Sequence, residues 1–187
     1  MMRRITLSRA VALLICLGVL GVSSNSYAQP AASDKEIEVS AGLFHAQGSD
    51  TGALNVDLAL GYYLTPGWQL GLRQALNYTF VDDGPDTWVA TTAPFLNYHF
   101  RFGNIVPFLG GFIGLAWNDR DATGIIGPQG GVKFFLNEQT YLGVRYRYEW
   151  FFNSLRRVGR DADDGNHVFT VGIGFLWGGA RTTKPTK

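Results

Sequence analysis

The chain has 187 residues, with 16 Lys and Arg against 15 Asp and Glu, 24 glycines and one cysteine. A length of this order predicts a single domain. The formal net charge of +1 argues against a nucleic-acid-binding protein, which needs a basic face to neutralise phosphates. The mean hydropathy of +0.01 excludes a membrane protein built from several long apolar helices.

The N-terminus, residues 1–28, has the pattern of a cleaved signal peptide. Three arginines lie among the first nine residues, residues 10–22 are apolar, and the small residue Ala28 stands where a signal peptidase would cut. The apolar run is shorter than the roughly 20 residues of a spanning helix, which disfavours a retained anchor. Cleavage there leaves a mature chain without cysteine that begins with a short periplasmic segment, residues 29–35.

The mature chain alternates between apolar and other residues with a period of two, which is typical of strands and not of helices. In residues 141–152, for example, Val144, Tyr146 and Trp150 share one face, while Arg145 and Arg147 share the other. The pattern predicts eight strands of about 11 residues, near the length that a tilted membrane strand needs. They are residues 36–46, 53–64, 68–80, 88–102, 106–117, 125–136, 141–152 and 166–177.

The predicted connections alternate in length. Short turns (65–67, 103–105 and 137–140) alternate with longer and more charged loops (47–52, 81–87, 118–124 and 153–165). Short periplasmic turns and longer outer loops are the layout of an outer-membrane barrel. The sequence therefore predicts an all-β, eight-stranded, antiparallel, up-and-down transmembrane barrel over residues 36–177.

The distribution of charge and of tryptophan indicates which face of this barrel meets lipid. A soluble, lipocalin-like barrel would place the apolar face inside. Here the apolar faces of the well-patterned strands carry no charge, as a lipid-facing surface requires. The five tryptophans fall at strand ends, where aromatic girdles form: Trp68 and Trp177 at the periplasmic rim, Trp88, Trp117 and Trp150 at the outer rim.

These features resemble the small outer-membrane β-barrels of the OmpA/OmpX/OmpW type, as do the final strand ending Gly174-Phe175-Leu176-Trp177 and the stretch Pro107-Phe108-Leu109-Gly110-Gly111. The resemblance implies a monomer in the Gram-negative outer membrane, in contact with lipid and lipopolysaccharide and inserted by the barrel assembly machinery. Such barrels usually end on an aromatic residue. Here residues 178–187 follow Trp177 as a C-terminal tail.

Lipid A-modifying enzymes also occur on this scaffold, and the deacylase type carries His and Ser two positions apart on a strand. The three histidines do not fit, because the residues two positions after His45, His99 and His167 are not serine. The sequence has no zinc-protease motif, no cysteine pair and no phosphate-binding glycine loop. We therefore expect no catalytic residues, no metal and no cofactor.

The leading hypothesis is a non-enzymatic barrel with a structural or surface-interaction role, whose lumen is closed by a polar network. One alternative is a narrow channel for small solutes lined by the same side chains, and a second, disfavoured by the missing His-x-Ser pair, is a lipid A-modifying barrel enzyme. The predicted lumen network comprises Glu36, Glu38, Asp57, Arg73, Arg101, Lys133, Arg145, Arg147 and Glu149. Arg156, Arg157 and Arg160 in the longest loop are candidates for binding lipopolysaccharide phosphates.

Overall fold

The computed structural model of the protein describes residues 29–46, 53–79, 87–152 and 165–179. The predicted signal peptide, most of the C-terminal tail and the three loop arginines 156, 157 and 160 lie outside these residues. The described chain forms eight strands: β1 Lys35–Ala46, β2 Ala53–Tyr63, β3 Trp68–Thr79, β4 Thr87–His99, β5 Ile105–Trp117, β6 Ala122–Phe135, β7 Thr140–Phe151 and β8 Asn166–Trp177. It contains no helix long and apolar enough to cross a membrane.

The strands form one closed barrel in which each pairs antiparallel with its neighbours in chain order. Closure occurs between β1 and β8, so that Lys35 is in register with Tyr62 of β2 on one side and with Trp177 of β8 on the other. A closed barrel leaves no strand edge unpaired, a condition for crossing a bilayer. The predicted fold class is confirmed.

The two faces of the strands are as different as the alternation predicts. On the outer face Leu58 is 42% exposed and Leu72 is 48% exposed, whereas the neighbouring inward residues Asp57 and Arg73 are buried. A soluble barrel would bury the leucines instead. The tryptophans lie at the strand ends, and Trp88 and Trp117 make an edge-to-face contact at 5.8 Å between ring centroids. The apolar face is therefore the surface offered to lipid.

Two strand boundaries differ from the prediction by three residues, because short turns compete with the strands, and the others agree to within one residue. β4 ends at His99, since Phe102 and Ile105 exchange backbone hydrogen bonds of 3.1 and 3.2 Å across a tight turn containing Gly103, whose φ is +65°. β6 begins earlier than predicted, at Ala122. Asn118 Oδ1 accepts hydrogen bonds from the backbone N–H groups of Arg120 and Asp121, and this side chain closes the expected long loop into a tight turn.

The two ends of the described barrel meet at Asp34. Its carboxylate accepts hydrogen bonds from the backbone N–H of Ala31 and from that of Gly179, each 2.8 Å long. Ser33 adopts a positive φ of 68° as the chain turns into β1. We call this arrangement the Asp34 clasp. It holds the segment before β1 against the segment after β8, at the seam where the barrel closes.

Candidate functional site

The strands bring eight charged side chains into the barrel lumen. They occupy inward positions, where successive lumen-facing residues are two apart. All are buried, and four basic groups face four acidic groups: Arg73, Lys133, Arg145 and Arg147 against Glu36, Glu38, Asp57 and Glu149. Charges buried to this degree are tolerated where they are paired and hydrogen-bonded. We refer to these eight residues and their polar neighbours as the lumen network.

Glu36 is the centre of the network near the periplasmic end. Its carboxylate lies 2.5 Å from Lys133 Nζ. It also accepts hydrogen bonds from the Tyr63 hydroxyl, at 3.0 Å, and from Gln69 Nε2, at 2.8 Å. Lys133 in turn donates to the Tyr63 oxygen at 3.0 Å and lies 4.7 Å from the ring centroid of Tyr141. A single carboxylate thus binds one cation and two neutral donors from three other strands.

His99 contacts the same group of side chains. Its Nε2 lies 3.3 Å from the Tyr63 hydroxyl, and its ring packs against Phe108 with centroids 5.4 Å apart. The residue is buried, as expected of an interior histidine. Because its ring contacts Tyr63 and Phe108, His99 belongs to the lumen network.

Glu38 forms the next ion pair toward the outer side. Arg145 Nη2 lies 2.9 Å from Glu38 Oε1, and the Tyr141 hydroxyl donates to Glu38 Oε2 at 2.7 Å. These contacts cross the seam of the barrel, because β1 and β7 are both neighbours of β8. Arg145 and Glu38 therefore connect the strands on either side of β8 from within.

Arg147 is bound by two carboxylates. Its Nη1 and Nη2 lie 2.5 and 3.3 Å from the two oxygens of Asp57, and its Nε lies 2.7 Å from Glu149 Oε1. The first contact spans the lumen from β7 to β2, whereas the second lies within β7. A forked guanidinium suits this double recognition.

Arg73 differs from the other three cations, because it has no carboxylate within ion-pair distance among the described residues. Its guanidinium donates to the side-chain oxygen of Gln129 and lies over the rings of Phe95 and Phe112, at 5.2 and 5.8 Å. Gln129 passes the connection to Asn97 through a 2.6 Å hydrogen bond. Among the described residues, Arg73 is therefore bound by an amide and two aromatic side chains and not by a carboxylate.

Arg101 does not belong to the lumen network, so the prediction that it is a lumen residue is wrong. The prediction assumed that the inward positions of β4 continue beyond His99. The strand ends there, and Arg101 lies exposed on the turn that follows. The other eight predicted residues all point into the lumen, and the structure joins Glu36 with Lys133, Glu38 with Arg145, and Arg147 with Asp57 and Glu149.

The uncharged members of the site were not predicted. Gln69, Asn97 and Gln129 form a chain of amide contacts between Glu36 and Arg73. A buried apolar layer, the periplasmic plug, occupies the same end of the lumen and consists of Tyr63, Val106, Phe135, Tyr141 and Leu176. Their inward parity was available in the sequence. Which of them touch depends on the strand register, which the alternation alone does not fix.

Comparison with known proteins assigns the family. Residues 13–175 match the family described as the outer membrane protein beta-barrel domain. This match covers most of the chain, so the protein belongs to that family, and its location is the outer membrane. No curated protein matches the sequence.

Many solved structures share the fold, and three of them illustrate it. They are the N-terminal barrel domain of Pseudomonas aeruginosa OprF (16% identity, covering 79% of this chain and 100% of that one, TM-score 0.50), P. aeruginosa OprG (14%, 81% and 99%, TM-score 0.55) and Neisserial surface protein A (12%, 76% and 94%, TM-score 0.59). At such low identity the likeness concerns the fold alone. The chain is an outer-membrane barrel of this small, eight-stranded kind.

Proposed function

We propose that this protein is a non-enzymatic outer-membrane barrel whose lumen is closed, with a structural or surface-interaction role. The observation that carries the proposal is the compensated lumen. Three of its four buried cations are in direct contact with carboxylates, and the fourth is bound by an amide oxygen and two aromatic rings. Beneath them the periplasmic plug fills the end of the barrel with large side chains. An eight-stranded barrel is only wide enough for its side chains to fill.

The histidines support the non-enzymatic interpretation. His99 lies in the lumen against Tyr63 and Phe108, and the exposed His167 accepts or donates a 2.7 Å hydrogen bond with the Tyr146 hydroxyl. Neither has a serine two positions later on its strand. Among the described residues, no cluster of three His, Cys, Asp or Glu side chains could hold a metal ion. Neither of these two histidines therefore supplies the His-x-Ser pair of a lipid A deacylase.

A narrow channel is the second candidate, and one observation favours it. Several buried polar atoms have no hydrogen-bond partner among the described residues, including Arg73 Nε, Arg145 Nε and Nη1, and the hydroxyls of Ser40 and Thr170. Buried polar groups of this kind are usually satisfied by water. A continuous file of such water through the lumen would conduct ions.

Single-channel recording in a planar bilayer tests the closed lumen against the channel. We expect wild-type protein to give no regular conductance steps. A variant lacking two large plug side chains, Tyr63→Ala with Tyr141→Ala, is expected to conduct and serves as the positive control. Steady, reproducible steps from wild-type protein would overturn the closed-lumen proposal and favour the channel.

The surface role would use the outer loops. We propose that Arg156, Arg157 and Arg160, which lie outside the described residues, bind lipopolysaccharide phosphates through their forked donors. Replacing all three by glutamine is expected to weaken the binding of purified lipopolysaccharide to the protein in detergent. Unchanged binding would remove these residues from the proposal.

A further inference from the structure

The turn between β4 and β5 exposes one cation and one aromatic side chain at the periplasmic rim. Arg101 is exposed and has no ion-pair partner among the described residues. Phe102 next to it is 67% exposed. A basic residue beside an exposed aromatic ring, at the level where the strands leave the membrane, is typical of a site in contact with lipid headgroups.

An apolar groove lies on the lipid-facing surface next to this turn. It has a volume of about 520 Å³ and is bordered by Phe100, Leu109, Val132 and Tyr146. The groove is a depression because its floor includes Gly130, which has no side chain, together with Pro107 and Pro128. Bulky outward residues on the surrounding strands, such as Leu96 and Ile113, are absent from this floor.

The groove occupies the periplasmic half of the lipid-facing surface. Pro107 lies two positions from the periplasmic start of β5, and Gly130 lies five positions from the periplasmic end of β6. Tyr146, at the opposite end of the groove, is in register with Gly130 near the middle of the barrel. An occupant of the groove would therefore belong to the inner leaflet.

A second depression, of about 540 Å³, lies at the rim itself. It is lined by the β2–β3 turn, including Thr65 and Gly67, and by Arg101 and Phe102. Phe100 borders both this rim hollow and the apolar groove. A partly polar hollow at headgroup level, lined by Arg101, thus adjoins an apolar depression at the level of the lipid tails, and the Phe100 side chain lies between them.

We propose that these two depressions form a binding site for one anionic phospholipid of the periplasmic leaflet. The phosphate would lie against Arg101, whose forked guanidinium suits phosphate oxygens, and an acyl chain would fill the groove between Leu109 and Tyr146. The position of the two depressions on the membrane-facing surface favours a lipid as their ligand. The groove faces the hydrocarbon region of the membrane, and the positive charge of Arg101, which lines the rim hollow, complements a phosphate. Although the lumen residues Phe108 and Gln129 also border the groove, the proposed lipid contacts are with the outward side chains of Leu109 and Tyr146, so the site does not require a closed lumen.

Native mass spectrometry of the full-length mature protein, released from detergent after titration with phosphatidylglycerol, measures this binding. Arg101→Ala removes the cation, and Val132→Trp fills the groove. Each has a matched control elsewhere on the barrel. Lys35→Ala removes an exposed cation from the same rim, and Val39→Trp places the same bulk on the lipid-facing surface of β1. Unfolding midpoints in urea verify that every variant is folded.

We expect wild-type protein to retain one phosphatidylglycerol molecule, with about fivefold weaker binding for Arg101→Ala, the effect of one basic residue at an anionic surface. Val132→Trp is expected to abolish retention, and both controls are expected to match wild type. Diacylglycerol and inorganic phosphate, each offering half of the ligand, are expected to bind far more weakly than the whole lipid. Retention unchanged in both site variants, or reduced equally in the controls, would overturn the proposal. If Val132→Trp does not fold, Arg101→Ala against Lys35→Ala decides alone.

Discussion

Glu36 is the carboxylate on which the periplasmic half of the lumen network depends. It is the sole carboxylate in ion-pair contact with Lys133 among the described residues, and it also accepts hydrogen bonds from Tyr63 and Gln69. In Glu36→Gln the size of the side chain is kept, but the negative charge is lost. One acceptor oxygen also becomes an NH₂ group that faces the Lys133 and Tyr63 donors. Lys133, fully buried, is then left without a carboxylate in contact with it among the described residues.

The magnitude follows from the burial of this pair. Removing one partner of a buried ion pair costs about 3–5 kcal/mol, because the remaining charge stays buried without compensation. With a urea slope of about 2 kcal/mol/M, the unfolding midpoint is expected to fall by about 1.5–2.5 M. The additional Lys133→Met substitution removes the uncompensated charge, and we expect it to recover a large part of the loss.

Urea unfolding in lipid vesicles, followed by the fluorescence of the rim tryptophans, measures the change. Glu149→Gln is the matched control, since Arg147 retains both contacts with Asp57 when Glu149 is neutralised. Its expected cost is about 1.5 kcal/mol, the loss of one hydrogen bond to a charged group. The reasoning is refuted if Glu36→Gln lowers the midpoint no more than Glu149→Gln does, or if Lys133→Met gives no recovery.

Three further outcomes are expected. Leu72→Arg places a charge on the lipid-facing surface near mid-membrane and should cost about 2–4 kcal/mol, whereas Leu64→Arg at the rim should cost less than about 1 kcal/mol; equal folding yields in vesicles would contradict the assignment of faces. Gly174→Ala would bring a Cβ within 2.1 Å of the Tyr141 ring and should lower the free energy of unfolding by about 1–3 kcal/mol, while Gly111→Ala, whose nearest neighbour is at 3.5 Å, should leave it unchanged. Asp34→Asn keeps one acceptor oxygen of two in the Asp34 clasp, so amide exchange at Gly179 should accelerate; unchanged protection would show that the clasp does not hold this end.

The alternation of the sequence was sufficient to predict the barrel because every strand has one face in lipid and one in the lumen. Leu58 and Asp57 could be assigned to opposite sides from their parity alone, and the structure agrees. Strand ends were harder, because they are decided by local competition. The composition predicted a loop over residues 118–124, but hydrogen bonds to the Asn118 side chain close a shorter turn, and β6 begins at Ala122. At Arg101 the parity rule failed because it was applied beyond the end of β4, on the turn that leads into β5.

The pairing inside the lumen could not be predicted for a different reason. Lys133 and Glu36 are 97 positions apart in the chain, and their contact depends on how far each strand is shifted against the next around the whole barrel. The register shifts between neighbouring strands accumulate around the barrel. The alternation within single strands does not determine this total shift. Contacts across the seam are simpler, because closure places β1 and β7 on either side of β8, and Glu38 of β1 pairs with Arg145 of β7.

The Asp34 clasp has a consequence for the order of the chain. Because Ala31 and Gly179 bind the same carboxylate, the barrel's two ends lie side by side, and a short peptide linking them would turn the polypeptide into a ring. Opening that ring at the periplasmic turn 137–140 would give a circular permutant that begins with β7 and ends with β6. All eight strand pairings would survive, although the strands would leave the ribosome in a new sequence. The folded barrel would therefore have the same strand arrangement whichever strand is synthesised first.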